Sequence, residues 1–402
     1  MVASRLPGLR RPPLILLFLL MFVWVSACAD AQTLPPPASE QARVRARALG
    51  LPMGELSPGA LNAITDVPGV RVGHTTLIQG SGSLVPGQGP VRTGVTVIIP
   101  REDVWHKKVP AGGFVLNGTG EMTGLAWVEE SGFLEYPVAL TDTLNLPRVA
   151  NGVMSWMIGR YPDIGITDDT LTPVVAECDN SRLNDIQGRH VSEGDVIKAL
   201  DHAQGGPVAE GTVGAGTGMV SYGFKGGIGT ASRVIASAGG GYTVGVLVNA
   251  NHGRRSELVM AGVPVGKLYG SSEADKGAEG SVIIIIATDA PLDARQLKRL
   301  AKRAAMGLAR TGSTIRHGSG DFILAFSTAT VIPHYPEKAT YPITAFADTH
   351  LNLLFTATVE ATNEAILNAS TMATTVIGRD NHKAEAIDLG RVREIVKNFR
   401  SP

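Results

Sequence analysis

A serine stands where a polar, glycine-containing loop meets a run of β-branched residues. The loop covers residues 271–280, and Ser281 is followed by Val-Ile-Ile-Ile-Ile at residues 282–286. A run without a polar face is typical of a strand that is buried on both sides. The pattern therefore predicts that a buried strand begins at Ser281, in a sheet covered on both faces.

This position suits a hydrolase that cuts its own chain. Cleavage between Gly280 and Ser281 would leave the serine with a free α-amine beside its hydroxyl, and that amine can act as the base. The ordinary pKa of an α-amine, about 7.7–8, lies close to working pH. From the local pattern alone, an ordinary junction between a loop and a strand remains the simpler interpretation.

Composition argues against nucleic acid as a partner. The 402 residues carry a formal net charge of +0, and aromatic residues make up only 5%. A nucleic-acid binder needs a basic face, and single-stranded binders also need aromatic stacking platforms. Hydrophobic residues, at 44%, are sufficient for a large core.

No cofactor or metal site is predicted. The glycines of residues 211–218 (GTVGAGTG) lack the spacing of a dinucleotide-binding loop, and Lys225-Gly226-Gly227 lacks that of a phosphate-binding loop. Turn glycines are the simpler interpretation of both. Histidine, cysteine and acidic residues nowhere show the spacing of zinc ligands.

The N-terminus has the pattern of an export signal. Basic residues precede a short apolar core at residues 14–25, which is too short to span a bilayer comfortably. We therefore expect residues 1–31 to be a signal peptide and the mature protein to be periplasmic or lipid-anchored to a bacterial membrane. Residues 32–50, rich in proline, alanine and arginine, are expected to form a flexible lead-in.

Two cysteines bear on maturation. Val-Ser-Ala-Cys at residues 25–28 resembles a bacterial lipoprotein box, in which Cys28 would be lipidated, and the competing cut is ordinary signal cleavage after Ala31. Cys178 is the second cysteine, so no internal disulfide is expected in the mature chain. We interpret Cys178 as a small buried hydrophobic residue.

Strands and helices are predicted in blocks rather than in strict alternation. This favours an α+β layered fold over a doubly wound one. Ser192 and Asp195 form a capping-box-like pair at the start of one helix, and glycine-punctuated strands are expected across residues 211–245. The other strands are predicted at residues 94–99, 113–116, 137–140, 172–177, 244–249 and 321–326, and helices at 148–159, 192–203, 292–310 and 351–372.

Several motifs resemble those of one enzyme family and occur in the same order as in that family. Gly280-Ser281, the aliphatic strand and ATDAPL at residues 287–292 resemble the L-aminopeptidase/D-amino-acid esterase family, which includes the β-peptidyl aminopeptidases. The match extends from about Leu51 to the C-terminus. The other motifs are LNAITDVPGVRVGH at residues 61–74, NGTGE at 117–121, KGGIGTASR at 225–233 and GSGD at 318–321.

The resemblance implies an exported serine aminopeptidase that matures by self-cleavage. It implies a four-layer αββα sandwich, similar to the N-terminal-nucleophile hydrolases but with different connectivity. One catalytic domain, residues 51–402, would be cut into residues 51–280 and 281–402, and the two fragments would stay together. Substrates would be peptides, amides or esters with a free amine. We also expect the fragment pairs to associate into a homo-oligomer.

Three further residues are candidates for catalysis beside Ser281. Ser319 and Asp321 stand two apart before a strand, so in extended chain they share one side, and the resemblance implies a proton-relaying or orienting pair. Without the resemblance, an Asx-type turn is the simpler interpretation of this pair. Asn251 ends a strand, where its amide is a fixed donor for a developing oxyanion. The residue two before it is Asn249, where the family has glutamine, and a turn asparagine is the alternative.

Two residues are candidates for substrate binding. Glu177 resembles the glutamate that receives the substrate's free amine, because a carboxylate pairs with an ammonium. Residues 178–181 depart from the family, so Asp179 could take the ammonium instead. Asn117 could line the pocket, although an ordinary Asn-Gly turn is the alternative.

Two other functions stay open at this stage. A related architecture occurs in ornithine acetyltransferases, which cut themselves before a threonine, whereas this chain has Ser281. The other alternative is a non-catalytic exported lipoprotein that binds amines or peptides and is never cut.

Overall fold

A computed structural model describes residues 42–236, 241–270 and 280–401. The predicted signal peptide with Cys28, and most of the loop before Gly280, lie outside the described residues. No helix in the described ranges is long and apolar enough to cross a membrane.

The strands follow one another along the chain. They are β1 (Arg71–Gln79), β2 (Val91–Ile99), β3 (Lys107–Gly118), β4 (Phe133–Leu134), β5 (Val138–Thr141), β6 (Val174–Glu177), β7 (Val220–Ser221), β8 (Phe224–Lys225), β9 (Gly227–Val234), β10 (Thr243–His252), β11 (Gly280–Thr288), β12 (Gly320–Ser327), β13 (Ile332–Pro333), β14 (Val376–Ile377) and β15 (Lys383–Ala384). The helices are α1 (Leu125–Ser131), α2 (Leu146–Arg160), α3 (Glu193–Asp201), α4 (Val265–Tyr269), α5 (Ala294–Arg310), α6 (Leu351–Thr371) and α7 (Leu389–Arg400).

Two sheets carry the architecture. The smaller has the strand order β1-β2-β5-β6, and the larger the order β13-β3-β12-β11-β10-β9, with β4 also paired to β3. Strand β11 is central in the larger sheet, antiparallel to β10 and parallel to β12. Every residue from Ser281 to Thr288 is buried, which confirms the buried strand predicted from the aliphatic run.

Helices cover the outer face of each sheet. Helices α2 and α3 pack on the smaller sheet, and α5 and α6 pack on the larger one. One hydrophobic core joins the facing sides of the two sheets, with Val97 and Leu140 from the smaller sheet and Ile283 and Leu324 from the larger. A second core fills the space between the larger sheet and α5 and α6. These layers are the predicted α+β αββα sandwich.

Local signals placed several elements correctly. The Ser192 hydroxyl accepts a hydrogen bond from the Asp195 N–H, and the Asp195 carboxylate accepts one from the Ser192 N–H, so the predicted capping box begins α3. The glycine-rich part differs from the prediction, because Gly214–Gly218 forms a 3-10 helix rather than a strand. The glycines let this turn pack against the backbone of β2, where a side chain on Gly218 would meet the Arg92 carbonyl.

The C-terminal end of the predicted lead-in is bound to the rest of the domain. Residues 46–49 form a 3-10 helix in which Ala46 and Leu49 are buried. The Ala46 N–H donates to the Asn368 side chain, and the Arg45 guanidinium pairs with the buried carboxylate of Glu210. The expectation of flexibility therefore fails for residues 42–50, since polar contacts to distant residues fix this segment.

Candidate active site

One cavity of about 820 Å³ opens where β10 ends and β11 begins. This volume is in the range of sites for small ligands. Segments distant in sequence meet here because the sheet brings their strand ends together. The lining residues are Thr119, Gly120, Thr143, Leu144, Glu177, Asp179, Ser181, Arg182, Ile186, Val220, Asn251, His252, Gly253, Gly280, Ser281 and Gly318.

Ser281 lies between two strands at the wall of this cavity. It is directly opposite Asn251 on β10 and beside Gly320 on β12. The Gly320 N–H donates to Ser281 Oγ at 3.2 Å, which fixes the position of the hydroxyl oxygen. Ser281 is 6% exposed, so its hydroxyl is held in a restricted, largely buried environment.

The residue before Ser281 must be glycine. Gly280 has φ +71°, in the left-handed region that side chains rarely adopt. A Cβ on Gly280 would also lie 2.1 Å from the Asn251 carbonyl oxygen. The peptide bond between Gly280 and Ser281 is therefore presented in a conformation that only glycine provides.

Ser319 and Asp321 form a buried pair where the neighbouring strand β12 begins. Ser319 Oγ donates to Asp321 Oδ1 at 2.8 Å, so the predicted serine–carboxylate pair is present. Burial raises the pKa of Asp321 to about 6, although the hydrogen bonds from Ser319 and the Val282 N–H oppose that shift. Oδ2 of Asp321 is buried and has no hydrogen-bond partner among the described residues. This oxygen can therefore accept a proton, or a hydrogen bond from a further donor.

The Asn251 amide is fixed by two backbone groups. Its Oδ1 accepts from the Val220 N–H at 2.8 Å, and its Nδ2 donates to the Asp179 carbonyl at 2.7 Å. These contacts define which end of the amide is the donor, and one N–H of Nδ2 stays unused by them. Because Asn251 lines the same cavity as Ser281, this N–H is suited to an oxyanion formed at the serine.

Glu177 offers a buried carboxylate to the same cavity. The Glu121 N–H donates to its Oε1 at 3.1 Å, and the Thr143 hydroxyl donates to its Oε2. Burial raises the pKa of Glu177, and the nearby carboxylates of Asp179 and Asp142 add to this, against the two hydrogen bonds. A cationic group in the cavity would complete the contacts of this carboxylate.

The comparisons with known proteins decide the family. The model of peptidase family S58 matches residues 62–384. The chain belongs to that family. It is also 47% identical over 367 residues to the β-peptidyl aminopeptidase BapA of Sphingosinicella xenopeptidilytica, covering 88% of this chain and 91% of that protein. This S58 peptidase is therefore an aminopeptidase, as the motifs predicted.

Solved structures of S58-like enzymes share its fold. The β-aminopeptidase of a Burkholderia species superposes with a TM-score of 0.83 at 41% identity, covering 89% of this chain and 100% of that chain. The L-aminopeptidase D-Ala-esterase/amidase of Ochrobactrum anthropi gives 0.83 at 42% identity, covering 88% of this chain and 98% of that chain. That second structure is described as a new variant among the Ntn hydrolase folds, in agreement with the αββα layers described above.

Asn117 lies beside the site rather than in it. Its Nδ2 donates to the carbonyls of Arg316 and Ser319, so the side chain holds the turn that carries Ser319. It is not among the residues that line the cavity. The sequence suggested a pocket residue, whereas the geometry favours a supporting role for Asn117.

Some groups that contact the site residues were not predicted from the sequence. Thr143 contacts Glu177, and the Asp179 carbonyl and Val220 N–H orient Asn251. The polar sequence Thr-Asp-Thr, which starts at the last residue of β5, was the available signal for Thr143. Cys178 is fully buried, as expected.

One group of possible metal ligands lies outside the cavity lining. Within the described ranges, Asp168, Asp169 and His334 have ligand atoms within 4.8 Å of one another. Asp168 already accepts hydrogen bonds from Trp105 at 2.7 Å and from His334 at 2.9 Å. These donors account for the carboxylate without an ion, and the absence of a metal or cofactor stays a prediction.

Proposed function

We propose that this S58 aminopeptidase cuts itself between Gly280 and Ser281 and then uses Ser281 as its nucleophile. The observation that carries the proposal is the position of Ser281. Its hydroxyl lines the cavity at the first residues of a buried strand, directly after a left-handed glycine and opposite Asn251.

The self-cleavage step is an acyl shift followed by hydrolysis. Ser281 Oγ attacks the carbonyl carbon of Gly280, and the bond from that carbon to the Ser281 nitrogen breaks as an ester forms. The proton of the hydroxyl is transferred to the released amine. Water then hydrolyses the ester, which leaves a carboxylate on Gly280 and a free α-amine on Ser281.

The same groups support peptide hydrolysis. The free amine of Ser281 takes the proton from its own hydroxyl as Oγ attacks the substrate carbonyl, and the proton passes to the leaving amine. Asn251 donates to the oxyanion. Water then releases the acyl group from Ser281. The pair of Ser319 and Asp321 orients the nucleophile or relays its proton.

Glu177 would select substrates with a free amine. Its largely buried carboxylate is held by Thr143 and the Glu121 N–H, so it is positioned to pair with an ammonium group. We propose N-terminal residues of peptides, amides or esters as substrates. The likeness to enzymes named β-peptidyl aminopeptidases extends this proposal to β-amino acid residues.

The two fragments would remain associated after cleavage. Strand β11 is paired on one side with β10 from the larger fragment and on the other with β12 from its own. Arg233, in the larger fragment, forms buried ion pairs with Glu360 and Glu364 in the smaller. We further propose that the protein is exported to the periplasm or anchored by a lipid at Cys28. The fragment pairs are proposed to associate into an oligomer.

A substrate panel tests this function. Purified protein would be assayed with aminoacyl p-nitroanilides of α- and β-residues, each as the free amine and as the N-acetyl derivative. Turnover restricted to free amines, lost in Ser281→Ala, supports the proposal. Equal turnover of acetylated substrates would contradict it.

A further inference from the structure

Arg182 is an arginine of the cavity wall for which the described residues supply no counterion. It lines the same cavity as Ser281 and Glu177. Among the residues that the structure describes, its buried Nε has no hydrogen-bond partner and no ion pair includes its guanidinium. A positive group with unused donors therefore faces the place where substrate binds.

Arg182 is partly buried, and two buried arginines show what its guanidinium lacks. Arg233 is paired with two carboxylates, and Arg92 donates to carbonyl oxygens at 2.7–3.0 Å. A buried N–H without an acceptor is costly, and more so when the group is charged. The unused donors of Arg182 thus fit an acceptor that is supplied by a ligand.

The backbone around Arg182 is held in place from both sides. The Leu183 and Asn184 N–H groups both donate to the Asn180 carbonyl, which closes a turn across Arg182. The Arg182 carbonyl is hydrogen-bonded to His382 Nδ1 at 3.0 Å. A fixed turn that carries a cation into a cavity is a geometry suited to specific recognition rather than to a mobile surface charge.

We propose that Arg182 binds a carboxylate of the substrate, so that the preferred substrates are short peptides with a free C-terminal carboxylate. This inference rests on the proposed aminopeptidase function. Glu177 receives the ammonium at one end and Arg182 the carboxylate at the other, and a guanidinium matches a carboxylate with two parallel hydrogen bonds. A cavity of about 820 Å³ suits a peptide of a few residues.

The first test compares three substrates of the unmodified enzyme. They are a dipeptide acid with alanine at its C-terminus, the same dipeptide as its C-terminal amide, and a dipeptide amide with aspartate in place of that alanine. We expect kcat/KM for the acid to exceed that for the amide by about 10- to 100-fold, the effect of a charge-assisted hydrogen bond. The aspartate amide, with its carboxylate on a side chain, should behave like the plain amide.

Variants assign the preference to Arg182. Arg182→Gln should bring the acid-to-amide ratio close to one, because it should lower kcat/KM for the acid much more than that for the amide. Arg182→Lys, which keeps the charge but not the fork, should retain part of the preference. Arg189→Gln is the matched control, because Arg189 is an exposed arginine of the same segment outside the cavity lining.

The outcomes separate this inference from the function on which it rests. A wild-type ratio near one, or an unchanged ratio in Arg182→Gln, would overturn the role of Arg182 and leave the aminopeptidase standing. A high rate with the aspartate amide would replace the C-terminal carboxylate by an acidic side chain as the recognised group and overturn the stated substrate class. Hydrolysis of none of the three substrates would contradict the proposed function itself.

Discussion

Asn251 lies directly opposite Ser281 across the antiparallel pair of β10 and β11. The candidate oxyanion donor and the candidate nucleophile therefore form one cross-strand residue pair in a buried part of the sheet. Because Val220 and Asp179 also fix the amide, the donor is in place before substrate arrives.

Replacing Asn251 tests its role as the donor. Asn251→Ala should lower kcat by about 10²–10³-fold, with a smaller change in KM, because an oxyanion donor acts mainly in the transition state. Asn251→Asp keeps the shape but removes the N–H, and it should lose as much. Kinetics on correctly processed protein would measure this, with exposed Asn151→Ala as the control. An unchanged kcat would demote Asn251 to a structural residue.

Asp321 predicts a loss of activity in mild acid. Burial raises its pKa to about 6, so its carboxylate takes up a proton as the pH falls through that value. Protonation of the Ser281 α-amine already lowers kcat/KM below about pH 8, so we expect the decline to become steeper below about pH 6, and this added steepness to disappear in the less active Asp321→Asn. Exposed Asp169→Asn is the control. If the steeper decline below about pH 6 is preserved in Asp321→Asn, another group causes it.

The raised pKa of Asp321 also predicts that the loss of activity in acid is not caused by unfolding. The folded value lies above the unfolded value of about 3.9, so the folded protein binds more protons at this site between about pH 4 and 6. Protonation of Asp321 therefore favours the folded state as pH falls through this window. Thermal unfolding at pH 5.5 should show a folded protein where the activity has already declined.

Glu177 predicts discrimination by the charge of the amine. Acetylation removes the ammonium and leaves the buried carboxylate without its partner, so N-acetylated anilides should be poor substrates. Glu177→Gln should raise KM most for free amines and narrow the difference between the two substrates. Glu130→Gln, an exposed substitution, serves as the control. If Asp179→Asn narrows the difference instead, the ammonium is held by Asp179.

A stability prediction concerns the ion pairs between β9 and α6. Arg233 is fully buried, with Nε 3.0 Å from Glu360 Oε2 and Nη2 2.8 Å from Glu364 Oε2. Arg233→Met leaves the buried Glu360 carboxylate without a cation and leaves Glu364 paired with Arg47 alone, so it should lower the free energy of unfolding by about 3–5 kcal/mol. The exposed pair of Arg295 and Asp348 is the control, and Arg295→Met should cost about 0–1 kcal/mol in denaturant titration. Equal small effects would contradict this account.

Local sequence signals predicted those parts of the fold that depend on neighbouring residues. The capping box at Ser192 and the buried strand at Ser281 are examples, since each depends on residues a few positions apart. The layered α+β class followed from the order of such elements, and the αββα arrangement from the family resemblance.

Contacts between distant segments could not be predicted in this way. Thr143 meets Glu177 through the parallel pairing of β5 and β6, and Val220 meets Asn251 through a hairpin that folds back on β10. These partners are set by sheet register and backbone course. Asn117 shows the converse, since its Asn-Gly sequence did not reveal the three carbonyls that its amide contacts.

The central claim, self-cleavage before Ser281, is tested most directly by the intact mass of the purified protein and of its Ser281→Ala variant. The account predicts two wild-type fragments, one that ends at Gly280 and one that begins at Ser281, and a single uncut chain for the variant, because alanine cannot form the ester. A wild-type protein that remains one chain, or a variant that is cut at the same bond, would contradict it.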